Sequence, residues 1–170
     1  MALYFAFGSN MSTSRLLART PSARRKALGR LNGYELRFHK RSSDGSGKAD
    51  AFRTGRQGDI VWGVIFELSD AELPQLDEAE GVGHGYKRVQ VDVKTSRGCL
   101  VPGAIVVTAW TYLAEATAID PSLQPYSWYK RYVVDGAHEH ALPLEYVMKL
   151  EAVPAIEDPD PHRAARNALT

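Results

Sequence analysis

The sequence predicts an α+β fold, in which a mostly antiparallel β-sheet of about six strands curls into a barrel-like shape with flanking helices. Segments with apolar residues at every second position, which are typical of strands, recur along the chain. The helices expected between them are spaced irregularly, without the strict strand–helix alternation of a doubly wound sheet. The length of 170 residues suits one domain of ordinary size. We assign this domain to residues 1–154 and interpret residues 155–170 as a polar, mobile tail.

Five segments show the apolar pattern of strands most clearly. The first contains Leu3, Phe5 and Phe7 and ends at the turn-forming residues Gly8-Ser9-Asn10. The others follow at residues 34–38, 60–68, 89–93 and 104–113. Residues 42–50 are so rich in Gly and Ser that they predict a loop.

Local signals also mark four helices. The sequence Ser69-Asp-Ala-Glu72 is typical of a capping box, and the helix that it opens should end at Gly81. The other helices are expected over residues 12–19, from 127 to about 136, and after Pro143.

The composition is that of an ordinary globular protein. Hydrophobic residues make up 44% of the chain and charged residues 24%, which excludes a disordered or collagen-like chain. No apolar stretch approaches the ~20 residues that a membrane span needs, and no signal peptide is recognisable. The single cysteine, Cys99, cannot form an internal disulfide, which suits a reducing compartment. We therefore expect a cytoplasmic protein without a membrane partner.

The net charge of +1 hides an asymmetry between the two parts of the chain. Residues 1–60 contain 12 basic and 4 acidic residues, whereas residues 61–170 contain 9 basic and 16 acidic ones. A basic part can bind nucleic acid or another anion, or it can be compensated by the acidic part within one domain. Since the basic residues lie between apolar ones rather than in a block, we favour compensation and expect no nucleic-acid partner.

Several familiar functional motifs are incomplete or absent. The loop Gly45-Ser46-Gly47-Lys48-Ala49 lacks the first glycine of a phosphate-binding P-loop and the Ser or Thr that should follow its lysine. His138-Glu139-His140 does not have the spacing of a helical zinc site, and no Gly-x-Ser-x-Gly nucleophile elbow occurs. We therefore expect neither a metal nor a cofactor.

Glu80 is the most informative acidic residue. In its predicted helix it shares one face with Leu73 and Leu76, whereas Asp77 and Glu78 fall on other faces and should be solvated. The face with two leucines should be buried. Burial disfavours the charged form of a carboxyl group and so raises its pKa, and a general acid or base that works near neutral pH needs a raised pKa. Exposure to water, or pairing with a buried arginine, would instead give Glu80 a structural role.

The segment Phe7-Gly8-Ser9-Asn10 is the second informative feature. A strand that runs into Gly-Ser-Asn and then into a helix can present several backbone N–H groups in one place. Such groups bind anions or a developing oxyanion. The segment is also compatible with an ordinary strand–turn–helix connection in which Ser or Asn caps the helix.

Together these features resemble the γ-glutamylcyclotransferase family, with its AIG2-like fold. The N-terminal segment is similar to the family signature Tyr-Phe-Ala-Tyr-Gly-Ser-Asn, and further motifs follow in the family's order over roughly residues 3–150. The matching segments are Tyr4-Phe5-Ala6-Phe7-Gly8-Ser9-Asn10-Met11, Val61-Trp62-Gly63-Val64, Leu76-Asp77-Glu78-Ala79-Glu80-Gly81 with Gly85-Tyr86, Tyr129-Lys130, and Leu142-Pro143-Leu144-Glu145-Tyr146. A collinear set of motifs is far more specific than any one of them.

The resemblance implies an enzyme that acts on a small-molecule γ-glutamyl substrate without a cofactor. It would cyclise the γ-glutamyl group to 5-oxoproline and release the amino acid, with Glu80 as general acid/base. The residues that would bind substrate are Tyr4, Phe5, Ala6, Phe7, Gly8, Ser9, Asn10, Tyr86 and Tyr129. Phe7 departs from the second tyrosine of the signature, so the loop lacks one hydroxyl group. A homodimer is compatible with the sequence.

Two alternatives stay open. The same cyclisation could release the amine of a γ-glutamylamine, or remove an acyl group from a biosynthetic intermediate. A non-catalytic module that binds a small ligand or nucleic acid would belong to a different class and would use the basic part of the chain.

Overall fold

The computed structural model describes residues 1–95 and 106–168. Seven strands occur in these ranges: β1 (Ala2–Ala6), β2 (Arg24–Asn32), β3 (Tyr34–Arg41), β4 (Gly47–Arg53), β5 (Ile60–Leu68), β6 (Tyr86–Thr95) and β7 (Val106–Ala114). The helices are α1 (Thr13–Leu17), α2 (Leu73–Glu80), α3 (Ser127–Glu139), α4 (Leu144–Glu151) and α5 (Pro161–Ala168). No helix in the described part of the chain is long and apolar enough to cross a membrane. Cys99 and the first two residues of the strand predicted at 104–113 lie outside the described residues.

Five strands close into a barrel in the order β1–β5–β2–β6–β7. Neighbouring strands are antiparallel except β1 and β7, which run parallel and meet at Tyr4 and Trp110. Closure removes the free edges of the sheet, and the apolar side chains of these strands supply much of the core. The predicted α+β fold with a mostly antiparallel barrel is confirmed, and β3 and β4 form a separate two-stranded sheet.

The Gly- and Ser-rich segment predicted to be a loop is partly a strand. β4 begins at Gly47 and pairs with β3, so only residues 42–46 form the turn between them. The Asp44 carboxylate stabilises this turn by accepting a hydrogen bond from the Ser46 N–H at 2.9 Å. The inward side chain of β4 at Ala49 is small and buried, and alanine gives little strand signal in a sequence.

β2 shows no clear strand pattern in the sequence, because basic residues dominate its first half. Ala27 and Leu31 are buried, whereas Arg24 and Arg25 at its start are exposed. Part of the basic excess of residues 1–60 therefore covers the outside of the barrel.

α2 lies where the capping box predicts it. The Ser69 hydroxyl oxygen accepts a hydrogen bond from the Ala71 N–H at 3.3 Å in the turn that precedes the helix. Gly81 ends the helix in the left-handed region, with φ of 71°. Leu73 and Leu76 are buried in the core, so the predicted inward face is confirmed.

α3 continues past Gly136, the residue predicted to close it, and ends at Glu139. Gly136 is needed for a close approach, since α3 packs there against the turn Ser9–Met11 that follows β1. A Cβ atom at this position would lie 2.6 Å from the Met11 carbonyl carbon and 2.7 Å from the Ser12 nitrogen. The missing side chain thus allows α3 to support the loop after β1.

The segment after residue 154 contains α5, which covers the residues 162–168 where the sequence allows a turn within the predicted tail. Asp158 connects this segment to α3: its carboxylate accepts hydrogen bonds from the Trp128 indole at 2.8 Å and from the Arg163 guanidinium at 2.7 Å. The hydrogen bond from Arg163 holds the pKa of Asp158 well below its usual range. Polar contacts of this kind leave no hydrophobic pattern in a sequence.

We expect Gly136→Ala to destabilise the protein, although alanine is the better helix former by about 1 kcal/mol. The added methyl group would overlap the backbone of Met11 and Ser12, and overpacking of this kind costs about 1–3 kcal/mol. Urea unfolding measures the loss. Gly58→Ala is the control, because no atom lies within 4 Å of the methyl group it adds. Equal stability of the two variants would contradict the close packing of α3.

Candidate active site

A cleft opens at the end of β1, between the loop that follows this strand, the C-terminal end of α2 and the start of β6. Eight of the residues predicted for the site line it: Tyr4, Phe7, Gly8, Ser9, Asn10, Glu80, Tyr86 and Tyr129. Phe5 and Ala6, which the sequence also predicts, do not line it and are 0% and 1% exposed in the core. Phe5 lies on the opposite face of β1 from Tyr4, because side chains alternate along a strand.

Glu80 is the last residue of α2, and its side chain is only 17% exposed. Its Oε1 atom accepts a hydrogen bond from Asn10 Nδ2 at 3.0 Å and forms an ion pair with the Arg19 guanidinium. The helical periodicity therefore brings the carboxylate into the cleft as predicted. Its surroundings are polar as well as apolar, since Arg19, whose side chain is 21% exposed, makes the arginine pair that the sequence analysis names as the structural alternative for Glu80.

The Asn10 side chain connects three groups of the cleft. Its Nδ2 donates to the Tyr4 hydroxyl at 2.9 Å as well as to Glu80, and its Oδ1 accepts a hydrogen bond from Arg19 at 2.9 Å. Only a side-chain amide offers a donor and an acceptor in this arrangement. Arg19 is not predicted as a site residue from the sequence, where its only signal is its place two residues after the short helix α1.

Ala49 of β4 positions two tyrosines through its backbone. Its N–H donates to the Tyr129 hydroxyl at 3.1 Å, and its carbonyl accepts a hydrogen bond from the Tyr86 hydroxyl. Burial raises the pKa of both tyrosines, so their hydroxyl groups are neutral at physiological pH. β4, which begins within the Gly- and Ser-rich segment, thus determines the positions of two residues that line the cleft.

Tyr112 of β7 lines the cleft too, although the sequence analysis does not single it out. Its hydroxyl donates to Asp77 Oδ1 at 2.9 Å, and Arg88 donates to Asp77 Oδ2 at 2.9 Å. Asp77, expected on a solvated face of α2, instead fixes a wall of the cleft. A single tyrosine in an apolar strand carries no signal of such a role.

Four basic side chains surround the mouth of the cleft beside Glu80: Arg15, Arg19, Lys40 and Lys48. Lys48 forms an ion pair with Asp44 at 2.7 Å, and Arg15 donates to Ser9 Oγ at 3.3 Å. Four of the twelve basic residues of residues 1–60 therefore face one site. Such a site favours an anionic ligand.

The two histidines near the end of α3 have different partners. His138 lies 2.8 Å from a Glu151 carboxylate oxygen, whereas His140 is buried 2.8 Å from the Met11 carbonyl oxygen. Burial lowers the pKa of His140. Across residues 1–95 and 106–168, no group of three His, Cys, Asp or Glu side chains is placed to hold a metal ion.

Comparisons with known proteins point to one family. A model of the AIG2-like family matches residues 60–150. The γ-glutamylcyclotransferase of Homo sapiens is 37% identical over 157 residues, which cover 89% of this chain and 78% of the human protein. The γ-glutamylcyclotransferase of Bos taurus is 35% identical over 158 residues, with the same coverage.

Solved structures give the same result. A structure named gamma-glutamyl cyclotransferase superposes with a TM-score of 0.83 at 31% identity and covers 99% of both chains. An uncharacterized protein from Homo sapiens superposes with a TM-score of 0.79 at 36% identity and covers 91% of this chain and 88% of its own.

Tyr129→Phe should destabilise the protein by about 1–3 kcal/mol, because it leaves the buried Ala49 N–H without an acceptor. Urea unfolding measures the difference. Tyr34→Phe is the matched control, since the Tyr34 hydroxyl makes no hydrogen bond within the described residues. If both variants were as stable as the unmodified protein, the Tyr129–Ala49 hydrogen bond could not be what positions this wall of the cleft.

Proposed function

Because the chain belongs to the γ-glutamylcyclotransferase family, we propose that it cyclises the γ-glutamyl group of γ-glutamyl amino acids or peptides to 5-oxoproline and releases the amino acid. The observation that supports this most strongly is the Glu80 carboxylate, which lies in a narrow cleft beside the Gly8-Ser9 loop. The reaction needs a group that transfers protons, which a carboxylate can do. The basic side chains around the mouth of the cleft favour an anionic substrate.

The reaction is an intramolecular aminolysis. The α-nitrogen of the glutamyl group attacks its own γ-carbonyl carbon, so that a new C–N bond closes the five-membered ring and the original amide C–N bond breaks. The α-ammonium group loses two protons in all, and the departing nitrogen gains two to leave as an ammonium group. Glu80 relays these protons one at a time and ends in its starting state.

Much of the acceleration should come from holding the substrate in a folded conformation. Ring closure requires the α-nitrogen to approach the γ-carbon of the same residue, and a bound, preorganised conformer reduces the entropic cost of that approach. The walls formed by Tyr4, Tyr86 and Tyr129 are rigid, because each hydroxyl has a hydrogen-bond partner. These neutral aromatic walls suit a compact glutamyl group.

The loop after β1 is the proposed anchor for the glutamyl group. Gly8 leaves its backbone open towards the cleft, where a Cβ atom would lie 3.2 Å from Ala49 Cβ and 3.6 Å from the Tyr129 hydroxyl. Backbone N–H groups of Gly8 and Ser9 would bind the α-carboxylate or stabilise the developing oxyanion. Phe7, which replaces the tyrosine of the family signature, does not disturb a contact made through the backbone.

A 5-oxoproline release assay tests this function. We expect turnover of γ-glutamyl amino acids or peptides. Turnover of γ-glutamyl-ε-lysine alone would favour the γ-glutamylamine alternative, and the absence of 5-oxoproline from every substrate would contradict an enzymatic function of this type.

Glu80→Gln should keep the fold but lower kcat by about 10²–10⁴-fold, because the amide cannot relay protons. Steady-state kinetics with a γ-glutamyl amino acid measures the effect, and thermal unfolding checks that the variant remains folded. Glu78→Gln makes the same chemical change at an exposed position of α2 and should be nearly neutral. A loss of less than tenfold for Glu80→Gln would contradict its role as the general acid/base.

Gly8→Val should lower kcat/KM more than Ser9→Ala does. The valine side chain would fill space that the substrate needs next to Ala49 and Tyr129, whereas Ser9→Ala leaves the backbone N–H groups in place. The two variants are compared at equal folded concentration. The opposite ranking would mean that the Ser9 hydroxyl, and not the main chain, holds the substrate.

A further inference from the structure

Lys40 is a buried cation without a carboxylate partner. It lies near the end of β3 and is only 7% exposed. Its Nζ atom lies 3.4 Å from the His84 carbonyl oxygen and 4.6 Å from the centre of the Tyr86 ring. Within residues 1–95 and 106–168, no carboxylate is close enough to form an ion pair with it. A buried charge without a counter-ion destabilises a protein, so we expect the Lys40 side chain to have a functional role.

Two of the other three cations at the mouth of the cleft have carboxylate partners, and the third, Arg15, donates to Ser9 Oγ and lies 4.6 Å from the centre of the Tyr132 ring. Arg19 forms an ion pair with Glu80, and Lys48 forms one with Asp44. The Lys48 Nζ atom also lies 4.6 Å from the centre of the Trp128 ring, and this cation–π contact further restrains the side chain. Lys40 differs from these two because its ammonium group remains available to an anion that enters the cleft.

Gly85 lies directly against the end of the Lys40 side chain and against Ala118 Cβ. Gly85 has φ of +113°, and a Cβ atom there would lie 2.8 Å from Lys40 Cε and 3.2 Å from Lys40 Nζ. The positive φ favours glycine at position 85, and a side chain there would also contact Ala118 and the end of Lys40. Burial lowers the pKa of Lys40, whereas the negative charges of Glu80, Asp44 and Glu115 raise it.

Lys40 and Glu80 line the same mouth of the cleft, with Tyr86 next to Lys40. Ser9, with Arg15 as its hydrogen-bond donor, belongs to the loop proposed to hold the glutamyl group. A γ-glutamyl amino acid carries a second carboxylate, on the amino acid that leaves. The loop is proposed to bind the α-carboxylate of the glutamyl group, so the carboxylate of the leaving amino acid needs a different partner.

We propose that Lys40 binds the carboxylate of the leaving amino acid and thereby selects γ-glutamyl amino acids and peptides over γ-glutamylamines. This inference rests on the proposed function. The ammonium group makes a charge-assisted hydrogen bond to that carboxylate, which a leaving amine cannot replace. Loss of such a contact changes affinity by about 10–100-fold.

Two substrates that differ only in this carboxylate test the proposal: γ-glutamyl-alanine and γ-glutamyl-ethylamide. We expect the unmodified protein to prefer γ-glutamyl-alanine by at least about tenfold in kcat/KM, mainly through KM. Lys40→Gln and Lys40→Met should bring this ratio close to one, because the loss in kcat/KM falls mainly on γ-glutamyl-alanine. Lys87→Gln, which removes an exposed lysine of β6 outside the cleft lining, should keep the preference.

Three results would overturn the assignment of Lys40: equal use of both substrates by the unmodified protein, a preference that survives in folded Lys40 variants, or an equal loss on both substrates. The last would mean that Lys40 supports the cleft without recognising the leaving group. Should neither variant fold, the unmodified protein decides, because higher ionic strength should weaken turnover of γ-glutamyl-alanine more than that of γ-glutamyl-ethylamide. Absence of 5-oxoproline from both substrates would instead contradict the proposed function itself.

Discussion

The contact between the Glu80 carboxylate and the Asn10 side-chain amide is the interaction on which the cleft depends. The two residues are 70 positions apart in the chain, and they meet because β1 pairs with β5, which leads into α2. A hydrogen bond to a charged group contributes roughly 1.5–3 kcal/mol, and this one also determines where the carboxylate points. Because Asn10 holds Tyr4 and Arg19 as well, the loop after β1 and the end of α2 form one unit.

Close packing of small residues keeps this unit in place. Gly136 allows α3 to approach the turn after β1, and Ala49 allows β4 to lie between Tyr86 and Tyr129. Protein interiors are packed at the density of organic crystals, so a side chain added at such positions displaces the polar groups that surround them. The same small residues that stabilise the fold therefore also determine the dimensions of the cleft.

The distribution of charge follows a similar logic. Some of the basic residues of the N-terminal part lie on the outer face of β2, whereas others surround the mouth of the cleft. A cleft lined by charges of one sign with low-dielectric walls concentrates the electrostatic field and attracts ligands of the opposite sign. The asymmetry seen in the sequence thus has two structural origins, one on the surface of the barrel and one at the site.

The sequence by itself determined the features that depend on local order along the chain. Alternating or continuous apolar residues predicted most barrel strands, and the capping box and Gly81 predicted α2. The spacing of Glu80 from Leu73 and Leu76 predicted that its carboxylate points inward. These signals can be read because neighbouring residues produce them. β4 escaped prediction because small residues carry a weak strand signal.

Only the tertiary structure decided which groups meet in the cleft. Arg19 and Glu80 are 61 residues apart, and Ala49 and Tyr129 are 80 apart, so no local pattern pairs them. Lys40 of β3 likewise lies beside Tyr86 of β6, 46 positions away along the chain, only because the chain folds. Contacts between distant residues depend on how the barrel closes and on which side chains fill the space that remains, and that is a property of the folded chain as a whole.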